Sequence, residues 1–418
     1  MLLASAAIAA STLGARSGAA PLHVERAVSA ARFADSVGIN VHLAYHDGPY
    51  QHFDRVQALL TQLRVRHVRD GVALGQDDVC REDRALAARG VRFTYHVDPA
   101  SQPASLTSWA ACVGPAIEAY EGINEYDISH PDGDAAWAAT VRDTQRTLYR
   151  TVRANAALAS VRVIGPSLAD AGSARLVGDI SALMDDGNVH DYFGGHEPGT
   201  SGYGDNAYGT IHMWLGEARE MAGTKPIIST ESGYATPGSP RSVDAATQGA
   251  YIPRLFLDHY EAGIARTYDY ELVDEGGPPF ATYGLVDSNF QPKPAFNALA
   301  NLMALLSNVP SNASGSLAFT LAGADPQVRH ALFALGGNRL ALLLWREVSS
   351  YDPQQKAPIP VAPRTITVDL ATPPAAASLA TFDAGGNVHR TTLTRRTSYP
   401  VTLRDRIAIL ELTTTGHG

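Results

Sequence analysis

Apolar residues recur along most of this chain with two alternating spacings. Short apolar runs bounded by Gly, Pro or polar residues are typical of buried parallel strands, and apolar residues three or four positions apart are typical of amphipathic helices. The strands are predicted at 36–43, 65–71, 91–98, 120–127, 161–166, 188–196, 226–231 and 265–272, with helices between them such as 50–63, 135–156, 210–221 and 248–263. The pattern therefore predicts successive pairs of a strand and a helix.

The number of these pairs indicates the fold class. Eight pairs over about 280 residues match an α/β protein of the (β/α)8 (TIM) barrel type, whose active site lies at the C-terminal ends of the strands. A doubly wound open sheet is the competing fold, but no glycine-rich phosphate fingerprint follows the first strand, where Gly38 stands alone. We therefore predict a barrel domain over residues 21–308.

The pattern changes from Ser311 onward. Helical spacing stops, and short apolar runs such as 331–335, 340–345, 365–370 and 406–412 alternate with turn-forming segments rich in Gly, Asn, Asp or Pro. This arrangement is typical of an antiparallel β-sandwich. We predict a small β-sandwich domain over residues 309–418, in which the proline-rich tract 357–363 is a loop or an edge strand.

The first twenty residues differ from the rest of the chain. Residues 1–20 are rich in Ala, Leu and Ser and end in small residues, as in a secretory signal peptide, although the usual basic residues before the apolar run are missing. We therefore expect a secreted or periplasmic protein, with a start codon assigned too far downstream explaining the missing basic residues; the alternative is an Ala-rich disordered tail. No later apolar segment has membrane-spanning length, so we expect no membrane span.

Composition and charge narrow the partners. The 418 residues are 45% hydrophobic and 18% charged, which are ordinary globular values, and the formal net charge is −9. That charge argues against nucleic acid or an anionic membrane surface as the main partner. The oligomeric state is left open.

The two cysteines leave two interpretations. Cys80 and Cys112 are too few for a disulfide scaffold, and they lack the neighbouring Cys or His residues of a zinc site. In an exported protein they could form one bridge, and otherwise they are two buried thiols.

Two carboxylates stand at the ends of predicted strands. Glu125 ends the fourth strand directly after Asn124, and Glu231 ends the seventh. A glutamate at a strand end is usually a solvated loop residue or a helix cap. Two of them at the same rim of a barrel, however, are the pair of carboxyl groups that glycoside hydrolysis requires.

These residues carry a resemblance to a known superfamily. Asn124-Glu125, Thr230-Glu231 and the segment Tyr283–Phe296 together resemble the clan A glycoside hydrolases, the retaining (β/α)8 superfamily, over residues 37–306. Tyr270-Glu271-Leu272 and the last segment resemble branches that contain xylosidases, iduronidases and exopolysaccharide hydrolases. The resemblance implies a carbohydrate substrate and no cofactor.

The resemblance also implies roles for individual residues. Glu231 would be the nucleophile, and Glu125 the general acid and then the general base. Asn124 would bind the sugar 2-hydroxyl, and Arg69 would contact the nucleophile; the alternative for Arg69 is pairing with Asp70 or Asp98 at the rim. His196 would end the sixth strand, where the superfamily often has a His-x-Tyr pattern; Pro198 replaces that tyrosine, so the hydroxyl near the nucleophile would be missing or come from one of three tyrosines (Tyr192, Tyr203 or Tyr208).

Further strand-end residues are candidates for sugar binding. The resemblance assigns His42 and His96 to hydrogen bonds with sugar hydroxyls, and it places Tyr270 and Glu271 where a sugar-platform tryptophan is common. His42, His96 and His196 could instead form a metal cluster, since imidazole binds zinc well. Two other classes of function stay open: a barrel that only binds glycans, and a metal-dependent barrel hydrolase. The sequence does not identify the sugar, the linkage, or endo versus exo action.

Overall fold

The structure is a computed structural model that describes residues 22–73, 75–99, 101, 103–130, 136–275 and 282–415. It contains an eight-stranded parallel sheet and a nine-stranded, mostly antiparallel sheet. The first strand of the chain, β1 (His23–Ser29), belongs to the second sheet. The predicted leader, residues 1–20, lies outside the described residues.

The parallel sheet forms the predicted barrel. Its strands follow the order β6-β5-β4-β3-β2-β9-β8-β7, and a parallel bridge between Ile164 and Asp186 joins the two ends. Each predicted strand is present, and most are shorter than the apolar run that predicted them. The strands are β2 (Val37–Asn40), β3 (His67–Gly71), β4 (Arg92–Val97), β5 (Ile117–Ile123), β6 (Arg162–Ile164), β7 (Gly187–His190), β8 (Ile227–Ser232) and β9 (Arg266–Asp269).

The helices surround this barrel. Helix α2 shows why they form: Val56, Leu59, Leu60 and Leu63 fall on one buried face, and the helix ends where Arg64 adopts a left-handed conformation. The α-helices are α1 (Ala30–Asp35), α2 (Phe53–Leu63), α3 (Asp77–Ala87), α4 (Pro103–Val113), α5 (Tyr126–Ser129), α6 (Ala136–Ala154), α7 (Ser173–Val177), α8 (Ile211–Ala222), α9 (Ala245–Glu261) and α10 (Pro294–Leu306).

The second sheet folds into the predicted sandwich. β10, β15 and β18 form one layer with the first half of β1, and β11, β12, β19, β16 and β17 form the other layer with its last two residues. Buried side chains of both layers, such as Phe319, Val368, Leu342 and Leu410, share one core. The remaining strands are β10 (Gly315–Ala322), β11 (Val328–Gly336), β12 (Arg339–Arg346), β13 (Tyr351–Asp352), β14 (Ala357–Pro358), β15 (Arg364–Leu370), β16 (Ala376–Phe382), β17 (Val388–Leu393), β18 (Ser398–Leu403) and β19 (Ala408–Thr413).

The position of β1 corrects the N-terminal boundary of the barrel, which we predicted at residue 21. Its first residues pair antiparallel with β10, for example His23 with Phe319, and Val28 pairs in parallel with Phe333 of β11. The strand that precedes the barrel in sequence therefore belongs to the sandwich.

A buried junction connects the two domains. Helix α9 is buried from Thr247 to His259, because the barrel covers one side and β12 packs near the other. Trp345 of β12 donates from Nε1 to Asp258 Oδ1 at 2.8 Å, and the fully buried Arg254 donates to Glu347 at 3.0 Å and also to Glu197. Because β12 has apolar neighbours on both faces, its sequence is a continuous apolar run rather than an alternating one.

Two further expectations can be compared with the fold. Cys80 of α3 and Cys112 of α4 form a disulfide, with their Cα atoms 6.1 Å apart, which decides between the two interpretations above. None of the helices in the described part of the chain combines the length and the hydrophobicity that crossing a bilayer requires.

Candidate active site

Glu125 and Glu231 meet at the C-terminal rim of the barrel. Glu231 lies within β8 and is 8% exposed, whereas Glu125 follows β5 and adopts a left-handed backbone conformation with φ of 41°. One carboxylate oxygen of each and a ring nitrogen of His190 all lie within 4.8 Å of one another. Carboxyl groups about 5 to 5.5 Å apart are typical of retaining glycosidases, and inverting enzymes need a wider gap of about 6.5 to 9.5 Å.

Arg69, which lies in β3, organises the floor of this site. Its guanidinium donates to both carboxylate oxygens of Glu121 at 2.6 and 2.9 Å, to Glu231 Oε1 at 2.6 Å, to Asn124 Oδ1 at 2.7 Å and to Asn40 Oδ1 at 2.9 Å. These five bonds use all five N–H groups of the guanidinium. Arg69 is therefore a fixed positive charge against Glu231, as the resemblance implied, and not a partner of Asp70 or Asp98.

Glu121 is one of the site residues that the sequence did not indicate. It lies inside β5, is fully buried, and accepts from Arg69, from Asn188 Nδ2 at 3.0 Å and from Thr230 Oγ1 at 3.1 Å. Burial opposes its ionisation, but the Arg69 charge and hydrogen bonds outweigh that effect and lower the pKa of Glu121. Its ionised form therefore holds Arg69 in position beneath Glu125 and Glu231.

The sixth strand places different residues at the site from those predicted. β7 ends at His190, so His196 lies in the following turn, where its ring stacks on Tyr203 with centroids 4.3 Å apart. His190 and Tyr192 take the positions that we assigned to His196 and a tyrosine after it. Tyr192 donates from Oη to Glu231 Oε2 at 2.9 Å, whereas Tyr203 Oη reaches only the Tyr192 carbonyl at 3.4 Å. The His-x-Tyr pattern was present in the sequence six positions earlier.

His190 connects the two carboxylates. Its Nδ1 lies 2.7 Å from Glu125 Oε1 and 3.7 Å from Glu231 Oε2, and its Nε2 lies 2.9 Å from Thr230 Oγ1. Burial disfavours the imidazolium, but the charges of Glu231 and Glu125 outweigh burial and raise the pKa of His190. His190 therefore contacts both carboxylates, and its shorter contact is with Glu125.

The surroundings of Glu231 favour its ionised form. Burial alone would raise the pKa of Glu231, but the charges of His190 and Arg69, with hydrogen bonds from Arg69 and Tyr192, lower it to about 2. Glu231 is therefore a carboxylate at neutral pH.

The side-chain amide of Asn124 accepts hydrogen bonds at its oxygen, and its nitrogen remains available as a donor. Its Oδ1 accepts from Arg69 and from Ser167 Oγ at 3.3 Å. This fixes the amide orientation, and no described residue accepts a hydrogen bond from Nδ2. The Nδ2 group is therefore free to donate to a ligand.

A cavity of about 690 Å³ opens above the pair. Six aromatic residues from the segments after β7, β8 and β9 line it, together with Ile128 after β5 and Ala169 after β6; Asp170 and Arg241 are charged lining residues. The aromatic residues are Tyr192, Tyr208, Trp214, Tyr234, Tyr270 and Tyr283. A pocket with tyrosine rings, hydroxyls and few charges suits a neutral or weakly charged sugar.

The other predicted residues lie in two places. His42, Tyr270 and Glu271 form a second group beside the pair, in which the rings of His42 and Tyr270 are 5.5 Å apart. His96 packs against Gly71 and is close enough to Arg69 for charge coupling; burial, followed by that charge, lowers its pKa to about 4. Among the described residues, the structure does not bring His42, His96 and His196 together as one metal cluster.

The fold and the residues at the C-terminal rim define the architecture of the protein. It is a (β/α)8 barrel with a β-sandwich domain and two glutamates at the ends of the fourth and seventh barrel strands. No protein-family model matches the sequence, and a comparison with curated proteins returns no match.

Solved structures with this architecture are similar to the chain. A family 39 glycoside hydrolase from Bacteroides cellulosilyticus WH2 shares 15% identity and a TM-score of 0.65, covering 92% of this chain and 82% of its own. A monomeric β-xylosidase from Caulobacter crescentus CB15 shares 15% identity and a TM-score of 0.63, covering 94% and 98%. A GH51 arabinofuranosidase from Xanthomonas axonopodis pv. citri shares 14% identity and a TM-score of 0.58, covering 94% and 100%. At this identity the likeness establishes the fold, both barrel and sandwich.

Proposed function

We propose that this chain is a retaining glycoside hydrolase that cleaves O-glycosidic bonds of an oligosaccharide or polysaccharide, with Glu231 as nucleophile and Glu125 as acid/base. The observation that carries the proposal is the approach of the two carboxylates to within 4.8 Å at the ends of β5 and β8. That separation is shorter than the gap in which inverting enzymes place a water molecule, so a direct attack by the carboxylate is favoured.

The contacts of the two glutamates support opposite roles. Glu231 is held ionised by Arg69 and Tyr192, so its carboxylate attacks the anomeric carbon as the glycosidic C–O bond breaks. Glu125 gives its proton to the departing oxygen and then takes a proton from the water that releases the sugar. His190, in contact with Glu125, stabilises the carboxylate that forms there between the two steps.

The fixed amide of Asn124 has a place in the same mechanism. Its Nδ2 is positioned to donate to the sugar 2-hydroxyl, a contact that strengthens in the oxocarbenium-like transition state. Arg69 orients Asn124 and Glu231 with one guanidinium, so binding and attack depend on the same group.

The similar structures narrow the first substrates to test. Their names include a β-xylosidase and an arabinofuranosidase, so aryl β-xylosides and aryl α-arabinofuranosides are the first choice, followed by bacterial exopolysaccharides. We also infer export of this protein, since the Cys80–Cys112 disulfide persists in an oxidising compartment.

Azide rescue of the two alanine variants tests the roles. In Glu231→Ala, azide replaces the missing nucleophile and attacks the substrate directly, so the glycosyl azide should have the inverted anomeric configuration. In Glu125→Ala, the glycosyl-enzyme still forms with an activated aryl substrate and azide displaces Glu231, so the product should retain the configuration.

The control is Glu220→Ala, which removes an exposed carboxylate of α8 and should keep wild-type turnover. Wild-type activity in Glu231→Ala, or the same anomer from both catalytic variants, would rule out this assignment.

A further inference from the structure

A second cluster of ligand-type side chains lies beside the catalytic pair. It consists of His42 after β2 and Glu271 and Glu275 after β9, and one ligand atom from each lies within 4.8 Å of the others. His42 Nε2 is 3.4 Å from Glu271 Oε2 and 3.5 Å from Glu275 Oε1. The side chains of His42 and Glu271 are 14% and 0% exposed, and that of Glu275 is 28% exposed.

Polar atoms of all three residues have no hydrogen-bond partner among the described residues. These atoms are His42 Nε2, Glu271 Oε1 and Glu275 Oε1, and each is shielded from solvent. The ammonium of Lys293 is already bound by Asp274 at 2.7 Å, so it is not available to this cluster. Leaving a buried polar group unpaired is unfavourable, and leaving a buried carboxylate unpaired is more unfavourable still. The cluster is therefore built for a ligand from outside the chain.

The side chains of the cluster indicate the charge of that ligand. His42 Nε2 faces a carboxylate oxygen of Glu271 at 3.4 Å and one of Glu275 at 3.5 Å. Two carboxyl groups and one imidazole, to which no cationic side chain of the described residues is hydrogen-bonded, attract a cation. Imidazole and carboxylate ligands together suit zinc and neighbouring transition metals better than calcium, which prefers oxygen alone.

We propose that His42, Glu271 and Glu275 bind a divalent transition-metal ion such as Zn²⁺. Two ligand atoms that each lie about 2.1 Å from a tetrahedral zinc ion are about 3.4 Å from each other. This agrees with the 3.4 and 3.5 Å distances from His42 Nε2 to the two carboxylates. Acceptors around a substrate ammonium group at about 2.8 Å would be about 4.6 Å apart, which is wider than these distances. The spacing therefore favours a metal ion over an amino sugar.

The site would leave one coordination position open. Three protein ligands occupy three corners of a tetrahedron, and the fourth is available to water or to a sugar hydroxyl. Tyr270, whose ring contacts His42, also lines the cavity that holds Glu231. The ion would orient the sugar, while bond cleavage stays with the glutamates.

Calorimetric titration of the chelator-treated full chain with Zn²⁺ tests this site without any turnover. We expect one ion per chain, with affinity at least about 100-fold weaker in His42→Gln and in Glu271→Gln. Glu275→Gln changes a partly exposed side chain, so it carries the test if the buried variants do not fold. His196→Gln is the matched control, because His196 lies outside the cluster, and it should bind Zn²⁺ as the wild type does.

Two results would overturn the proposal. Zinc binding that is lost in Glu125→Gln but kept in the three cluster variants would assign the ion to the catalytic pair. No zinc binding by the wild type, with glucosamine binding that depends on Glu271, would assign the cluster to an ammonium group. Neither result depends on whether the chain hydrolyses a glycoside, so this proposal and the proposed function fail separately.

Discussion

The hydroxyl of Tyr192 provides a test of how Glu231, the proposed nucleophile, is kept ionised. Tyr192→Phe removes one donor at 2.9 Å from Glu231 Oε2 and keeps the ring, which packs against Tyr283 with centroids 5.7 Å apart. The substitution therefore changes the stabilisation of the carboxylate without opening a cavity.

The size of the effect follows from the strength of one bond. A hydrogen bond to a charged group contributes about 1.5 to 3 kcal/mol, and each pKa unit corresponds to about 1.4 kcal/mol. The pKa of Glu231, about 2 in the wild type, should therefore rise to about 3 to 4 in the variant. Since the nucleophile acts as the ionised form, activity is lost as the pH falls through this pKa, and the acid limb should move upward.

The assay is the pH dependence of kcat/KM, which reports the free enzyme, on any aryl glycoside that the wild type cleaves. Tyr203→Phe is the matched control, because among the described residues its hydroxyl donates only to the Tyr192 carbonyl. The acid limb of this variant should coincide with that of the wild type. An unchanged acid limb in Tyr192→Phe, or an equal shift in both variants, would refute the assigned role of Tyr192.

Three further predictions concern the domain junction, a residue beside the site, and the disulfide. Arg254→Met removes the buried guanidinium that pairs with Glu197 and Glu347, so the free energy of unfolding in urea should fall by roughly 3 to 5 kcal/mol; a loss below about 1 kcal/mol would contradict this. Asp191 lies between His190 and Tyr192, and its Oδ2 is 3.1 Å from His259 Nε2. Asp191→Asn weakens this contact, which holds the segment that carries His190 and Tyr192, so kcat should fall about tenfold, equivalent to roughly 1.4 kcal/mol, with KM unchanged. Cys80→Ser with Cys112→Ser opens a bridge between residues 32 positions apart, so it should destabilise the chain by about 2 to 4 kcal/mol, and reductant should then have no further effect on unfolding.

The barrel was accessible from the sequence because its signal is local and repeated. Each buried strand leaves an apolar run and each surface helix leaves a period of three to four, so counting placed Glu125 and Glu231 at the fourth and seventh strands. Once both strands were placed, the meeting of their ends followed from the barrel geometry.

The supporting residues were harder to predict, since their partners are distant in sequence. Glu121 looks like an outward-facing charge within β5, and only the fold brings Arg69, 52 positions away, against it. The error at His196 has a different cause. The residues after His190 continue with Tyr and Phe, so the apolar run extends beyond the strand, and nothing in its composition marks where the backbone turns.

The placement of β1 has a consequence for how the chain reaches its final state. This strand lies between β10 and β11 and passes from one layer of the sandwich to the other, so residues 309–418 alone would lack the connection between their layers. During synthesis β1 emerges first and its partners emerge last, with the whole barrel between them. The barrel can therefore close early, whereas the sandwich can form only after nearly all residues have been synthesised. Until then, β1 has unpaired backbone hydrogen-bonding groups.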